Sequence, residues 1–271
     1  MKVCVVGLGS VGLPTAIYVS EKNYHVIGYD ISPIAVQRAI SRGLEAYSNW
    51  ENVNNCDTYI VCVSTLLEEG KPDFSPLFDL ANKLGKLKSD NVLVSIESTV
   101  IPGTCKDIYK TIGNQSFSLV HVPHRYWEVN PGKYGVKQQK VIGAIDGNSL
   151  KKGIDFYKNA LEIPLHITST IEIAEMSKIL ENAYRYLLIA FAEESRMICE
   201  GLGLDFEEVK EACNTKWNTE ILEARDGIGG HCIPKDTKYV ISISPNALIL
   251  KSAIEVDRKY RDWISKFMRE D

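Results

Sequence analysis

The sequence predicts an α/β fold: an N-terminal Rossmann-type, doubly wound parallel sheet, followed by an all-helical domain built on a long central helix. Three observations carry this. Short apolar runs alternate with helical stretches from Lys2 to about residue 168, the pattern of repeated βαβ units. A glycine-rich turn sits at the first strand-to-helix junction. From Thr170 the apolar period becomes helical and stays so past Glu200. The expected domains are therefore residues 1–168 and 169–271.

Residues 2–7 are a continuous apolar run ending on glycine, as a strand buried on both faces requires. Gly7-Leu8-Gly9-Ser10-Val11-Gly12 follows, then a helix over Leu13–Glu21, a strand over Tyr24–Tyr29 and an acid, Asp30. This is the dinucleotide fingerprint in its required setting. Gly7 permits the tight turn, Gly9 lets the backbone reach a pyrophosphate, and Gly12 lets helix and strand pack closely. The helix start at Ser10 and Val11 offers unpaired N–H groups to phosphates. Asp30, 23 positions after Gly7, accepts hydrogen bonds from ribose hydroxyls and would repel a 2′-phosphate, so the expected cofactor is NAD rather than NADP.

The alternation continues through a helix at Ile34–Arg42, a strand at Thr58–Val63, a helix at Pro76–Lys86 and a strand at Val92–Ile96. Strands at Phe117–Val122, Lys140–Asp146 and Pro164–Ile167, with a helix over Ser149–Leu161, complete the domain. Ligands on such sheets collect at the carboxyl ends of the strands. That singles out Val63-Ser64-Thr65 and Glu97-Ser98-Thr99 beside the glycine turn. Their hydroxyls bond a cofactor, position a water or simply cap a turn. Pro123-His124-Arg125-Tyr126-Trp127-Glu128 forms either a sugar or phosphate contact or a solvated loop anchored by one aromatic.

In the second domain Ile171, Ala174, Ile179, Ala183, Leu187, Ala190 and Phe191 mark one long helix. At about 30 residues it would span about 45 Å, longer than one core needs, so it reads as a spine between lobes or subunits. Glu175, Lys178 and Asn182 share one face at i, i+3 and i+7. Buried, they need partners; exposed, they are a polar stripe with a Glu–Lys pair. Phe206–Cys213 is a short helix and Asn246–Met268 a final amphipathic one. Between them lies Gly227-Ile228-Gly229-Gly230-His231-Cys232-Ile233-Pro234-Lys235-Asp236. A cysteine set among glycines and charge is either a buried thiol in a turn or a nucleophile on a loop that approaches a ligand.

The composition is that of an ordinary soluble protein, with 45% apolar and 24% charged residues. A net charge of -4 gives no reason to expect nucleic acid or an anionic membrane as partner. No apolar run approaches the ~20 residues of a membrane span, and the N-terminus lacks a signal-peptide pattern. Seven cysteines, at 4, 56, 62, 105, 199, 213 and 232, form no metal-ligand cluster, so no metal is expected. They read as reduced thiols in a cytoplasm.

Taken together these motifs resemble the nucleotide-sugar 6-dehydrogenases, the UDP-glucose/GDP-mannose dehydrogenase family, over nearly the whole chain. Val5-Val6-Gly7-Leu8-Gly9-Ser10-Val11-Gly12-Leu13-Pro14 resembles the family's N-terminus, and Val63-Ser64-Thr65 with Gly70-Lys71-Pro72-Asp73 its second cofactor loop. Glu97-Ser98-Thr99-Val100 with Pro102-Gly103-Thr104 resembles its S-T-V-x-P-G-T strand end. Glu175-Met176-Ser177-Lys178 with Asn182 resembles the helical E-x-x-K-x-x-x-N motif, and Gly229–Asp236 the catalytic loop. Gly-Gly-His-Cys-Ile-Pro leans towards the branch acting on N-acetylated UDP-hexosamines.

The resemblance implies oxidation of a primary alcohol to a carboxylate in two hydride transfers to NAD. Cys232 would capture the aldehyde as a thiohemiacetal, which becomes a thioester and is hydrolysed. Lys178 would stabilise the oxyanion, assisted by Asn182. Asp236 would orient Lys178 or activate the hydrolytic water, with Thr99 holding that water. Arg125, Lys178, Asn182, Gly229 and Gly230 would contact the sugar substrate, and Gly227–Gly230 would let the loop close.

Two departures stand out. Where the family commonly has glutamate after proline, Pro123 is followed by His124; either His124, whose side-chain type titrates near neutrality, or Glu128 takes over that base. Relatives also continue into a further α/β domain that binds the nucleotide. The chain is therefore expected to be naturally short, truncated, or completed by a second chain. A homodimer through the long helix is also implied. Two other classes stay open: a two-electron β-hydroxyacid-type dehydrogenase, which needs no cysteine, and a non-catalytic NAD-binding subunit.

Overall fold

A computed structural model describes residues 1–267. They form two units: Met1–Leu66 with Asp73–Lys178, and Leu67–Pro72 with the chain from Ile179 onward. In chain order the strands are β1 (Lys2–Val6), β2 (His25–Tyr29), β3 (Glu45–Tyr47), β4 (Thr58–Val61), β5 (Leu66–Glu68), β6 (Lys71–Asp73), β7 (Leu93–Ile96), β8 (Ser118–His121), β9 (Lys140–Ala144) and β10 (Leu165–Ile167). The helices of the first unit are α1 (Gly12–Glu21), α2 (Pro33–Ser41), α3 (Ser75–Leu84), α4 (Thr104–Ile112) and α5 (Gly147–Ile154).

Eight strands make one sheet in the order β10-β9-β8-β7-β4-β1-β2-β3, while β5 and β6 pair only with each other. Period-two alternation sends the residues of β1 to opposite faces. Cys4 and Val6 enter a core with Leu77, Leu80 and Leu84 of α3 and Ile108 and Ile112 of α4. Val3 and Val5 enter the other, with Leu13, Ala16 and Val19 of α1 and Ala39 of α2. Helices on both faces are the reason the strands read as unbroken apolar runs.

The sheet departs from pure parallel order at one place. β9 runs antiparallel to β8, with Val120 opposite Ala144 and His121 opposite Gly143. Residues 123–139 return the chain without a crossover helix, and an antiparallel neighbour needs none. Ahead of the long helix, α4, the β5–β6 hairpin and the short edge strand β3 were not anticipated. The helix expected over Ser149–Leu161 is instead α5 followed by a π-helical turn, Asp155–Ala160. Glu175 explains α4: its carboxylate accepts the N–H groups of Gly103 and Cys105, both at 2.7 Å, satisfying donors that a helix start leaves open.

The long helix α6 runs over Ile171–Gly201, 31 residues, as expected. From Ile179 it belongs to the second unit, with α7 (Phe206–Asn214), α8 (Cys232–Ile243) and α9 (Leu248–Phe267). The end expected at Met268 lies outside the described residues. Two small cores hold this unit: Ala192, Cys199, Phe206, Ala224 and Tyr260, and Tyr186, Ala190, Ile228 and Ala253. Among the described residues no helix is long and apolar enough to cross a membrane.

Candidate active site

In the sheet unit the three fingerprint glycines are needed for different reasons. Gly7 has φ +90°, and a Cβ there would lie 2.7 Å from the Cys62 carbonyl oxygen. A Cβ on Gly12 would lie 1.7 Å from the Gly7 carbonyl oxygen, so the fold itself forbids a side chain at either position. Around Gly9 nothing lies within 4 Å of a would-be Cβ. No protein contact demands glycine there, whereas a pyrophosphate lying against the backbone would. That open cradle fits NAD. Asp30 is already engaged, its Oδ2 accepting the Leu8 N–H at 2.7 Å and its Oδ1 the Ser32 N–H at 2.8 Å. It fixes the turn to the second strand end while keeping lone pairs for ribose hydroxyls. Ser10 is exposed, and Val11 precedes the first turn of α1.

The other strand ends are tied to one another. The Thr65 hydroxyl donates to the Thr99 carbonyl at 2.9 Å, and the Ser98 hydroxyl to the Val63 carbonyl at 2.7 Å. Ser64 stays exposed. The hydroxyls of Thr65 and Ser98 therefore serve as loop ties.

Below these loops lies a buried polar cluster that the sequence did not reveal. Glu97 is fully buried, and its Oε1 accepts from Lys140 Nζ and from the Tyr157 hydroxyl, both at 2.7 Å. Tyr157 also shares a hydrogen bond of 2.7 Å with the Ser95 hydroxyl, and burial pushes its phenol well up. Two signals were visible: an acid ending the apolar run Val92–Ile96, and a lysine opening another strand. What the sequence lacked was any sign that they meet across 43 positions.

The His124 N–H reaches the Glu97 carbonyl at 3.5 Å. Arg125 donates from Nη1 to the Gln139 carbonyl at 2.9 Å, and Gln138 donates back to the Arg125 carbonyl at 2.9 Å. The His124–Arg125 loop is thus pinned to the strand that carries Lys140. Nearby, burial first, and Lys178 as a lesser cause, push the His121 imidazole down to about 3. Lys178 and Glu175 are both buried, which removes the exposed-stripe reading. Burial raises the Glu175 carboxyl, with its backbone hydrogen bonds pulling the other way. A cavity of about 510 Å³ in the same unit is lined by Tyr18, Arg42, Tyr126 and Lys133 among others; none of the strand-end residues named above lines it.

In the helical unit Cys232 is not on a loop. It is exposed and is the first residue of α8, with His231 as N-cap. Pro234 masked this helix, although proline is tolerated in a first turn. Unpaired N–H groups of a helix start favour anions formed there. Asp236, one turn further along α8, is fully buried. Asn182 of α6 donates to its Oδ2 at 2.5 Å, and Lys235 Nζ pairs with its Oδ1 at 2.6 Å. Lys235 also sits 4.1 Å from the Tyr239 ring centre. The structure therefore joins Asn182 to Asp236 and adds Lys235, which sequence reasoning passed over as part of a motif. Gly229 and Gly230 are exposed, with open space where a Cβ would stand.

The chain matches the NAD-binding domain of the UDP-glucose/GDP-mannose dehydrogenase family over residues 1–48 and 34–161, and that family's central domain over residues 172–259. It is 33% identical to a UDP-N-acetyl-D-mannosamine dehydrogenase of Methanococcus vannielii, over 95% of this chain and 65% of the relative. It is 32% identical to a UDP-N-acetyl-D-glucosamine 6-dehydrogenase of Pseudomonas aeruginosa, over 89% of this chain and 62% of the relative. The structure of a UDP-D-ManNAc dehydrogenase from Pyrococcus horikoshii superposes with a TM-score of 0.90 at 26% identity, covering 100% of this chain and 71% of that one. The chain thus spans about two thirds of the length of the curated relatives it matches.

Proposed function

The chain belongs to the UDP-glucose/GDP-mannose dehydrogenase family, and from that premise we propose that it oxidises the C6 alcohol of a UDP-N-acetylhexosamine to the uronic acid. The observation that carries this reading is Cys232, an exposed thiol in the first turn of α8 directly after Gly229-Gly230-His231; Cys213 of α7 is exposed without such a setting, Cys62 is half-buried, and Cys4, Cys56, Cys105 and Cys199 are buried. A thiolate is the strongest side-chain nucleophile near neutrality, and this one is reachable. The N-acetylated class of substrate rests on the two curated relatives named above.

Bound NAD supplies the hydride acceptor; Gly7, Gly9, Ser10, Val11, Gly12, Asp30, Val63, Ser64 and Thr65 would hold it. The chain's own residues do the rest. Once that acceptor has taken a first hydride from the C6 carbon and solvent the hydroxyl proton, the Cys232 thiolate adds to the resulting aldehyde carbon, forming a C–S bond and an oxyanion. Lys178 stabilises that oxyanion, and Asn182 assists from α6. Loss of hydride from the adduct leaves a thioester on sulfur. Water then displaces the thiolate and releases the carboxylate, with Thr99 positioning the water. The pair Asn182–Asp236 keeps a buried carboxylate satisfied, so Asp236 acts by orienting its neighbours. His124 would serve as the hydrolytic base, and Arg125, Gly229 and Gly230 would contact the sugar.

The test is NADH formed per sugar consumed across a panel of UDP- and GDP-sugars, for the wild type and Cys232→Ser. Two NADH per sugar, falling to one or fewer in the variant with aldehyde retained or released, supports the cysteine mechanism. One NADH from both proteins would place the chain with the two-electron dehydrogenases. NAD binding with no NADH on any sugar would sink the stand-alone enzyme and favour a subunit completed by a second chain.

A further inference from the structure

We propose that Asp257 and Arg261 of α9 are positioning residues for Cys232: they clamp Ile228 and make the pair Gly229–Gly230 the only free joint ahead of the nucleophile. The proposal deepens the dehydrogenase reading and rests on it for the role of Cys232. Everything it invokes lies in the helical unit.

Both backbone groups of Ile228 are taken by α9. Its N–H donates to Asp257 Oδ1 at 2.8 Å, and its carbonyl accepts from Arg261 Nη2 at 2.7 Å. Arg261 Nε in turn lies 3.0 and 3.2 Å from the two Asp257 oxygens, and the Tyr186 hydroxyl donates to Asp257 Oδ2 at 3.1 Å. The Ile228 side chain is buried against Tyr186, Ala190 and Ala253. Gly227 has φ +96°, and a Cβ there would stand 2.8 Å from the Arg261 side chain. The anchoring extends backwards: the Arg225 carbonyl accepts from the Tyr260 hydroxyl at 2.6 Å, and the Ala224 carbonyl from Arg196 Nη1 at 3.2 Å. Gly227 is thus part of an anchor, and the freedom that would let the segment close falls to Gly229 and Gly230.

The anchor ends abruptly. Among the described residues, no backbone hydrogen bond is made by Gly229 or Gly230. Gly230 has φ +80°, and open space surrounds both would-be Cβ positions. Two residues later α8 begins with Cys232. A rigid base, a two-residue joint and a helix start is an arrangement that fixes where the sulfur can travel.

Glu193 of α6 makes the clamp sensitive to charge. It is fully buried, and among the described residues neither carboxylate oxygen has a hydrogen-bond partner. Burial, and then the Asp257 charge, push its carboxyl up to about 8, with Arg261 acting the other way. At neutral pH Glu193 is protonated and leaves the Asp257–Arg261 pair intact. Ionised, it competes with Asp257 for the single guanidinium. The charged and titratable groups facing it are Asp257, Arg261 and Tyr260 from α9, with Tyr186 on its own helix.

The experiment uses the full chain with NAD and the UDP-sugar that it oxidises. Amide exchange is measured at neutral pH for peptides covering 226–233, and kcat and KM for NAD are measured alongside, in Asp257→Asn, Arg261→Met, Arg261→Lys and Glu193→Gln. Arg261→Met and Asp257→Asn should speed exchange at 226–233 at least tenfold relative to peptides elsewhere. They should lower kcat at least tenfold with KM for NAD changed less than threefold. Arg261→Lys should recover part of both effects. Glu193→Gln should keep neutral kcat and remove a loss of kcat that the wild type shows above about pH 8. Exchange that rises only in step with the whole protein, or kcat unchanged in Arg261→Met, overturns the clamp. If local exchange responds as expected but no sugar is oxidised by the wild type, the dehydrogenase reading fails while the clamp on the cysteine segment stands.

Discussion

Gly9 and Gly12 look alike in a fingerprint and are unlike in the fold. A methyl group on Gly12 would collide with the Gly7 carbonyl oxygen, whereas one on Gly9 would meet nothing. Gly9→Ala should therefore fold with a nearly unchanged Tm while NAD binding, followed by calorimetry, weakens by at least about tenfold, about 1.4 kcal/mol. Gly12→Ala should lower Tm outright. A normal NAD affinity in Gly9→Ala would remove the pyrophosphate from this turn. His121 supports a second expectation at this scale. Its imidazole is held down to about 3 against an ordinary 6.5. Between those values the unfolded chain takes up a proton that the folded chain refuses, so this contribution is whole above about pH 6.5 and is lost as pH falls towards 3. Urea unfolding from pH 7 to 4 should show that acid limb flattened in His121→Gln.

At the scale of elements, the Glu97–Lys140 pair links the carboxyl end of β7 to the start of β9 deep in the sheet unit. Removing one member strands a buried charge, which typically costs about 3–5 kcal/mol, while removing both can cost far less. Lys140→Met should destabilise by that order in denaturant unfolding, and Lys140→Met with Glu97→Gln should recover much of it. A double variant no better than the single one would show that the strand ends do not depend on this pair. The same pair explains what sequence could not reach. The fingerprint is legible because its three glycines and the helix they open lie side by side in the chain, with Gly12 set against the Gly7 carbonyl five positions away, and α6 because 31 residues repeat one period. By contrast α4 depends on a carboxylate some seventy positions away. The start of α8 at Cys232 is hidden by Pro234, and the reversed strand β9 carries no local mark of its direction. Short-range chemistry is written in the sequence; pairings across tens of residues are only allowed by it.

Across the whole molecule, the second unit leaves an apolar seam uncovered on α6. Leu180, Tyr184, Phe191 and Ile198 are all exposed and recur at intervals of four and seven, the spacing of a helix–helix seam. With the dehydrogenase reading this supports a homodimer through α6. Light scattering should find a dimer in the wild type and a monomer in Phe191→Glu combined with Ile198→Glu; a wild-type monomer would leave the seam to another occupant.

The hairpin β5–β6 has a consequence for anyone who would take the molecule apart. Residues 67–72 belong with the helical unit although they are threaded between strands of the sheet unit. Any fragment beginning at 169 or 179 leaves that piece behind on the other product. Cloning or proteolysis at the obvious boundary would yield one half missing a part and the other carrying a surplus one, so the two units are better treated as a single hereditary parcel, cut and swapped only together.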